Sequence, residues 1–246
     1  ACGDTGLGRM LEPLEILDMF SSSFDKGIMS GKRILITAGP TQEPIDPVRF
    51  ITNRSSGKMG YALAEAAIES GAQVTLISGP VNIEPPSNCN LVAIKTAKEM
   101  YESVMHHIKG ADVYIGTAAV SDYSPAHINE SKIKKDGSNA AMVLELKENQ
   151  DILKSVSELK ERPYVVGFAA ETDNLIENAE KKLNNKNLDL IVANDVSDKE
   201  IGFDSDENEV TLITHEEKQL IQKQNKRKIS KNIIEFISGR INEQNN

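Results

Sequence analysis

Only two cysteines, Cys2 and Cys89, occur in 246 residues, and they sit far apart with no motif spacing. That excludes a disulfide framework and a thiolate metal knuckle, and a reducing cytoplasm is the expected setting. No apolar run approaches the roughly 20 residues that span a bilayer, and a signal-like start is not expected. Basic residues are in deficit: 28 Lys and Arg stand against 37 Asp and Glu, a net charge of −9. A general nucleic-acid binder draws its affinity from a basic surface, so this balance argues against that class. A small phosphate met by a few local lysines remains possible. The four histidines are scattered. His106 and His107 are adjacent, so on a helix they cannot share a face, and no protein-built metal site is expected. No internal repeat is visible.

The chain is organised around Arg33 to Gly60. Arg33-Ile34-Leu35-Ile36-Thr37-Ala38 is a short apolar, β-branched run of the kind buried parallel strands show. Gly39-Pro40 ends it, a polar loop runs from Thr41 to Arg54, and Ser55-Ser56-Gly57-Lys58-Met59-Gly60 opens a helix. Met59, Leu63, Ala66 and Ala67 share one face of that helix, and Gly71 stops it. Gln73–Ser78 is the next strand. Glycines at a helix start expose N–H groups and a partial positive charge, which suits a phosphate; plain turn chemistry also explains a glycine there. Two familiar nucleotide motifs are absent. A P-loop needs glycine five residues before its Gly-Lys pair and Ser or Thr after it, where this chain has Thr52 and Met59. A dinucleotide fingerprint needs an acidic residue ending the second strand, where this chain reads Ile77-Ser78-Gly79-Pro80.

Strands and helices continue to alternate. Leu91–Lys95, Asp112–Gly116, Tyr164–Ala169 and Leu188–Asn194 read as strands. Thr96 and Glu99 form a capping-box spacing before a helix with Met100, Val104 and Ile108 on its apolar face. Thr172–Asn187 reads as a helix with Ile176, Ala179 and Leu183 inward, and with Lys182 and Lys186 together on one face. Ala141–Lys147 alternates like an edge strand, and a helix starts at Asn149-Gln150-Asp151-Ile152. Val210–Thr214 and Gln219–Gln222 read as a hairpin. Ile229, Ile233, Phe236, Ile237 and Ile241 mark a closing amphipathic helix. The expected fold is α/β: a doubly wound, Rossmann-like, mostly parallel sheet with an additional antiparallel hairpin. Thr117 to Asp136 is long and irregular and leaves the carboxyl end of a strand, where open α/β sheets bind ligands. It carries Asp122, Tyr123, Lys132, Lys134 and Lys135. The lysines read either as phosphate contacts or as a solvated face. A short-chain oxidoreductase would place lysine four residues after Tyr123, and His127 stands there.

Longer strings are more specific. Ile36-Thr37-Ala38-Gly39-Pro40-Thr41, Glu43-Pro44, Asp46-Pro47-Val48-Arg49-Phe50-Ile51-Thr52-Asn53 and Ser55-Ser56-Gly57-Lys58-Met59-Gly60 form one group. Gly116-Thr117-Ala118-Ala119-Val120-Ser121-Asp122-Tyr123, Lys132-Ile133-Lys134-Lys135, Gly167-Phe168-Ala169-Ala170-Glu171-Thr172 and Asn187–Asp195 follow. Together they resemble the synthetase half of the bacterial bifunctional phosphopantothenoylcysteine decarboxylase/synthetases of coenzyme A biosynthesis. The likeness runs from Gly31 onward and implies a phosphopantothenate–cysteine ligase domain over residues 31–246. Ala1-Cys2-Gly3-Asp4, Gly6 and Gly8-Arg9-Met10 resemble the substrate clamp near the end of the decarboxylase half. Residues 1–30 are therefore expected to be a decarboxylase remnant, with a short helix from Leu14 to Phe20 and a Ser-rich linker from Ser21 to Ser30. In that half the residue matching Cys2 donates a proton and FMN is the cofactor. Without the flavin-binding portion, Cys2 is expected to be idle and decarboxylation absent.

The resemblance implies a CTP-dependent ligation. The carboxylate of 4′-phosphopantothenate becomes an acyl-cytidylate with release of pyrophosphate, the amine of L-cysteine attacks, and CMP leaves. Implied nucleotide contacts are Gly116, Thr117, Ala118, Asp122, Lys132, Asn149, Gln150, Asp151, Ile152, Phe168, Lys182 and Lys186; the family usually has proline where Gln150 stands. Phe168 fits two readings, plain core or a neighbour of the base. Asn53 and Lys132 are the implied catalytic residues, Asn53 acting on the acyl-cytidylate. Mg²⁺ is expected to arrive with the triphosphate, with Asp122 as its candidate ligand. A homodimer is implied, with no nucleic-acid or membrane partner. Two other classes stay open: a nucleotide-binding regulatory module without chemistry, and a dinucleotide-dependent oxidoreductase.

Overall fold

Burial sets the frame. In the computed structural model, which describes Pro13 and residues 27–134, 141–171, 174–195 and 206–243, β1 (Arg33–Ala38) is buried at every position after Arg33. Its side chains alternate, as strand geometry requires: Ile34, Ile36 and Ala38 enter one apolar core and Leu35 the other. The chain then forms β2 (Gln42–Pro44), β3 (Phe50–Thr52), α1 (Lys58–Glu69), β4 (Gln73–Ser78) and β5 (Asn90–Ala93). It crosses back through α2 (Ala97–His107) to β6 (Val113–Gly116), and continues as β7 (Tyr123–Pro125), β8 (Leu146–Glu148), α3 (Ile152–Ser157) and β9 (Tyr164–Glu171). Last come α4 (Leu175–Asn185), β10 (Leu190–Asp195), β11 (Glu207–Ile213), β12 (Lys218–Asn225) and α5 (Lys226–Glu243).

The main sheet has eight strands in the order β12-β11-β10-β9-β6-β1-β4-β5. Strands β5 through β10 of that order pair in parallel, and β11 and β12 add the expected antiparallel hairpin. On one face α1 and α5 pack Leu63, Ala67, Ile233 and Ile237 against the sheet. On the other, α2, α3 and α4 contribute Met100, Val104, Val156 and Leu183. Thr96 and Glu99 make both bonds of the capping box, so that sequence signal translates directly into a helix start. No helix among the described residues is long and apolar enough to cross a membrane.

Several boundaries differ from the sequence-based expectation. The stretch from Thr41 to Arg54, expected as loop, contains the β2–β3 hairpin, paired from Gln42↔Thr52 to Pro44↔Phe50. Its turn is built on Asp46, whose Oδ1 accepts from the N–H groups of Val48 (2.9 Å) and Arg49 (2.8 Å). The edge strand expected over Ala141–Lys147 is only β8, paired with β7; residues 141–145 carry no strand. The helix expected from Thr172 to Asn187 is the shorter α4, preceded by Asn174 in a left-handed conformation. Ile28 and Met29, expected within a linker, are bonded to the domain: Met29 is fully buried, its N–H donates to the Ser70 carbonyl at 2.8 Å, and Ser238 Oγ donates to the carbonyl of Ile28, whose side chain is exposed. The expected helix from Leu14 to Phe20 lies outside the described residues, apart from the flanking Pro13.

Gly60 explains how closely α1 approaches β1. A Cβ there would sit 2.5 Å from the Ala38 Cβ and 2.6 Å from Thr117 Oγ1. Gly60→Ala gains helix propensity of about 1 kcal/mol but forces strand or helix to move, at a cost of about 1–3 kcal/mol. We expect the urea midpoint to fall with an unchanged m-value. A rise would mean that α1 is not seated this tightly.

Candidate functional site

The crossover from β5 to β6 reverses the direction in which strands are added, so the sheet switches direction between β1 and β6. Loops leaving the carboxyl ends of these strands must separate there and open a crevice. Main-chain groups and two threonine hydroxyls pair across the gap. Thr117 Oγ1 donates to the Thr37 carbonyl at 2.5 Å, Ala119 N–H to the Gly39 carbonyl at 2.9 Å, and Thr41 N–H to the Ala119 carbonyl at 3.3 Å. Ser121 N–H donates to Thr41 Oγ1 at 3.0 Å. Asn149 closes the far side. Its N–H donates to the Asp122 carbonyl, its Nδ2 to the Ser121 carbonyl, and its Oδ1 accepts from Ser124 Oγ, the last two at 2.8 Å.

These contacts frame a cavity of about 320 Å³. Gly116 and Ala118 give it a wall of exposed main chain, and Gly116 is small because a Cβ would meet Leu153 Cδ2 at 2.9 Å. The loop from Asn149 to Ile152 forms a second wall, and α4 and its C-cap supply Lys182 and Lys186. Both ammonium groups already have protein partners. Lys182 Nζ donates to the Phe168 carbonyl at 2.6 Å, and Lys186 Nζ pairs with Asp151 Oδ2 at 2.8 Å. Asp151 also caps α3 by accepting from the Lys154 N–H. Burial pushes its carboxyl up, but the Lys186 bond, the Lys154 N–H and the charges of Lys186 and Lys182 hold it below the ordinary carboxylate range.

The structure gathers Gly116, Ala118, Asp122, Asn149, Gln150, Asp151, Ile152, Lys182 and Lys186 around this one cavity. Thr117 adjoins it with its hydroxyl spent on Thr37. Phe168 is divided between two places: its ring packs on the α1 and α5 face, and only its carbonyl reaches Lys182. Asn53 is exposed, its Nδ2 donating to the carbonyls of Ala119 (3.4 Å) and Val120 (3.1 Å). Lys132 is exposed and does not line the cavity. The helix start at Gly57 is also outside the cavity wall, since α1 packs on the other face of the sheet. Cys2 lies outside the described residues. Sequence reasoning missed Tyr114 and Leu153, which also line the cavity and carry no motif signal of their own, and Ser121, which lies inside the Gly116–Tyr123 string without having been singled out. Among the described residues no three His, Cys, Asp or Glu side chains gather into a metal cage.

Asp151 predicts an acid-limb effect. Its folded carboxyl value lies below its unfolded value, so the unfolded chain binds the proton more readily. The resulting stability is complete above about pH 5 and disappears as pH falls through the lowered folded value. Asp151→Asn should therefore flatten the loss of stability on acidification, measured by urea unfolding across that range. An unchanged acid limb would show that the Lys186 pair contributes nothing in solution.

Comparison with known proteins places the chain. The family model described as the DNA/pantothenate metabolism flavoprotein C-terminal domain matches residues 29–240. The coenzyme A biosynthesis bifunctional protein CoaBC of Vibrio vulnificus (strain YJ016) is 48% identical over 238 residues, covering 96% of this chain and 59% of its own length. The chain thus spans about three fifths of that relative. The crystal structure of the C-terminal domain of a CoaBC protein superposes with TM-score 0.76 at 42% identity, over 88% of this chain and 99% of that one. A Cab2 mutant in complex with phosphopantothenate-cysteine shares the fold at TM-score 0.74 and 19% identity, over 93% of this chain and 91% of that one. The chain belongs to the family of DNA/pantothenate metabolism flavoprotein C-terminal domains.

Proposed function

We propose that this chain is a ligase of coenzyme A biosynthesis that joins 4′-phosphopantothenate to L-cysteine at the expense of CTP. One observation carries the reading: a family member places two lysines and main-chain polar groups around a single cavity at the sheet's switch point. A free carboxylate is a poor acyl donor. In the proposed reaction its oxygen attacks the α-phosphorus of CTP and pyrophosphate leaves, giving an acyl-cytidylate. The cysteine amine then attacks the acyl carbon, loses a proton, and CMP departs. Neither step requires a covalent enzyme intermediate, so positioning and charge stabilisation suffice.

Lys182 and Lys186 would exchange the Phe168 carbonyl and the Asp151 carboxylate for phosphate oxygens, which carry more charge. The main chain at Gly116–Ala118 and Asn149–Ile152 would hold the nucleoside. Asn53 would act on the acyl-cytidylate, turning its amide donors from the Ala119 and Val120 carbonyls toward the activated acyl group without adding a competing charge. Lys132 would meet developing phosphate charge. Asp122 is an exposed carboxylate at the cavity, and with Asp151 paired to Lys186 the site fits Mg²⁺ carried mainly by the triphosphate rather than by a protein cage. Bound there, the metal would neutralise phosphate charge.

A second copy of the chain is proposed as the partner. Among the described residues, Ile28, Leu91 and Leu220 are exposed elsewhere, but most exposed large apolar side chains lie on the two small hairpins and their connections: Val48, Phe50, Tyr123, Ile128, Met142, Val143 and Leu146, with Val143 87% exposed. Such a patch marks an interaction surface.

The test is pyrophosphate release that requires phosphopantothenate, compared between CTP and ATP. We expect release with CTP, followed by cysteine-dependent CMP formation. Nucleotide binding without turnover would instead leave a non-catalytic binding module. Lys182→Ala should weaken CTP binding by about 1.5–3 kcal/mol and reduce its salt dependence; calorimetry at two ionic strengths checks this, and parental affinity would return Lys182 to a structural role. Asn53→Ala should leave CTP affinity nearly unchanged and slow turnover by about 10²–10³. Lost affinity with a parental rate at saturating CTP would make Asn53 a ground-state nucleotide ligand.

A further inference from the structure

The β2–β3 hairpin is bonded to two different segments. On one side Thr41 and Asn53 tie it to the loop that walls the cavity, through Ser121 N–H and the carbonyls of Ala119 and Val120. On the other it grips the segment that carries Lys132. Asp46 is buried, 3% exposed, and its carboxylate is gripped at both oxygens. Oδ1 accepts from Val48 and Arg49 N–H; Oδ2 accepts from Arg49 Nε and Nη2 and from Ile133 N–H at 3.2 Å. Arg49 Nη2 also donates to the Ile133 carbonyl at 3.1 Å. The ion pair thus binds both main-chain polar groups of Ile133, the residue after Lys132. A second tie, Asn129 N–H to the Ile45 carbonyl at 3.0 Å, lies just upstream. Arg49 holds the Asp46 carboxyl well below the ordinary carboxylate range, so the clasp stays charged at neutral pH.

We propose that Asp46 is a positioning residue that, through its pair with Arg49, fixes the backbone beside Lys132 relative to the cavity. This rests on the reading of Lys132 as an active-site lysine. A hairpin fixed to both segments works as a jig. A lysine has many rotamers, so anchoring the adjacent backbone removes part of the search its ammonium must make.

The experiment is a double-mutant cycle on pyrophosphate release, using Asp46→Asn, Lys132→Ala and the double variant. Asp46→Asn keeps the shape and an acceptor but removes the charge that holds Arg49. We expect each single variant to lose up to about 10²-fold in rate, and the double variant to fall no further than Lys132→Ala. Multiplied losses in the double variant would overturn the proposal. Trypsin gives a readout independent of activity: cleavage after Lys132 and Lys134 should accelerate in Asp46→Asn relative to cleavage after Lys98 on α2, and an unchanged ratio would overturn the clasp. If Asp46→Asn does not fold, Arg49→Lys replaces it in both arms, because it keeps the charge but loses the forked contact. A parent that releases no pyrophosphate would overturn the functional reading and the role of Lys132 together. An active parent with multiplied losses would overturn the positioning role alone.

Discussion

The cavity depends on the hydrogen bonds that join the chain leaving β1 to the chain leaving β6. Parallel strands at a switch point send their loops apart, and the polar backbone they expose must find partners. Here Thr117, Ala119 and Ser121 find them on Thr37, Gly39 and Thr41. The gap is held open at a defined width instead of collapsing. Gly60 and Gly116 lie on its two flanks, where a Cβ would meet Ala38 on one side and Leu153 on the other. Close packing of α1 and α3 against the strands therefore sets the position of both loops.

Charge follows from that frame. The chain is acidic overall, yet Lys182 on α4 and Lys186 just past its end stand at one wall of the cavity, Lys182 Nζ on the Phe168 carbonyl and Lys186 Nζ on the Asp151 carboxylate. A carbonyl carries only a partial charge, and one carboxylate carries less than a triphosphate. Under the proposed function both lysines would exchange these contacts for phosphate oxygens, which carry more charge. A like exchange applies to Asn53, whose donors rest on two main-chain carbonyls.

The main sheet was legible because β1, β4, β6, β9 and β10 are short apolar runs bounded by turns or caps, and burial on both faces leaves no ambiguity about period. The small hairpins were not legible, since β2, β3, β7 and β8 are three residues each and too short for alternation to register. Asp46 is the clearest loss: in sequence it is one turn residue before Pro47, and only the fold brings Ile133 to it. The lysine pair on α4 was visible from helical spacing, but its partners were not, because Phe168 and Asp151 come from other elements. Phe168 shows the limit of a side-chain reading, since its ring and its carbonyl serve opposite faces of the sheet. Tyr114 and Leu153 line the cavity from positions that any core residue could occupy.

Hydrogen exchange with and without saturating CTP tests most directly whether this cavity is the nucleotide site. Slower exchange is expected at Gly116–Asp122 and Asn149–Leu153, with the amino ends of β1 and β4 unaffected. Protection confined to the cleft around Arg33, Gln73 and Asn90, or no protection at all, would contradict it.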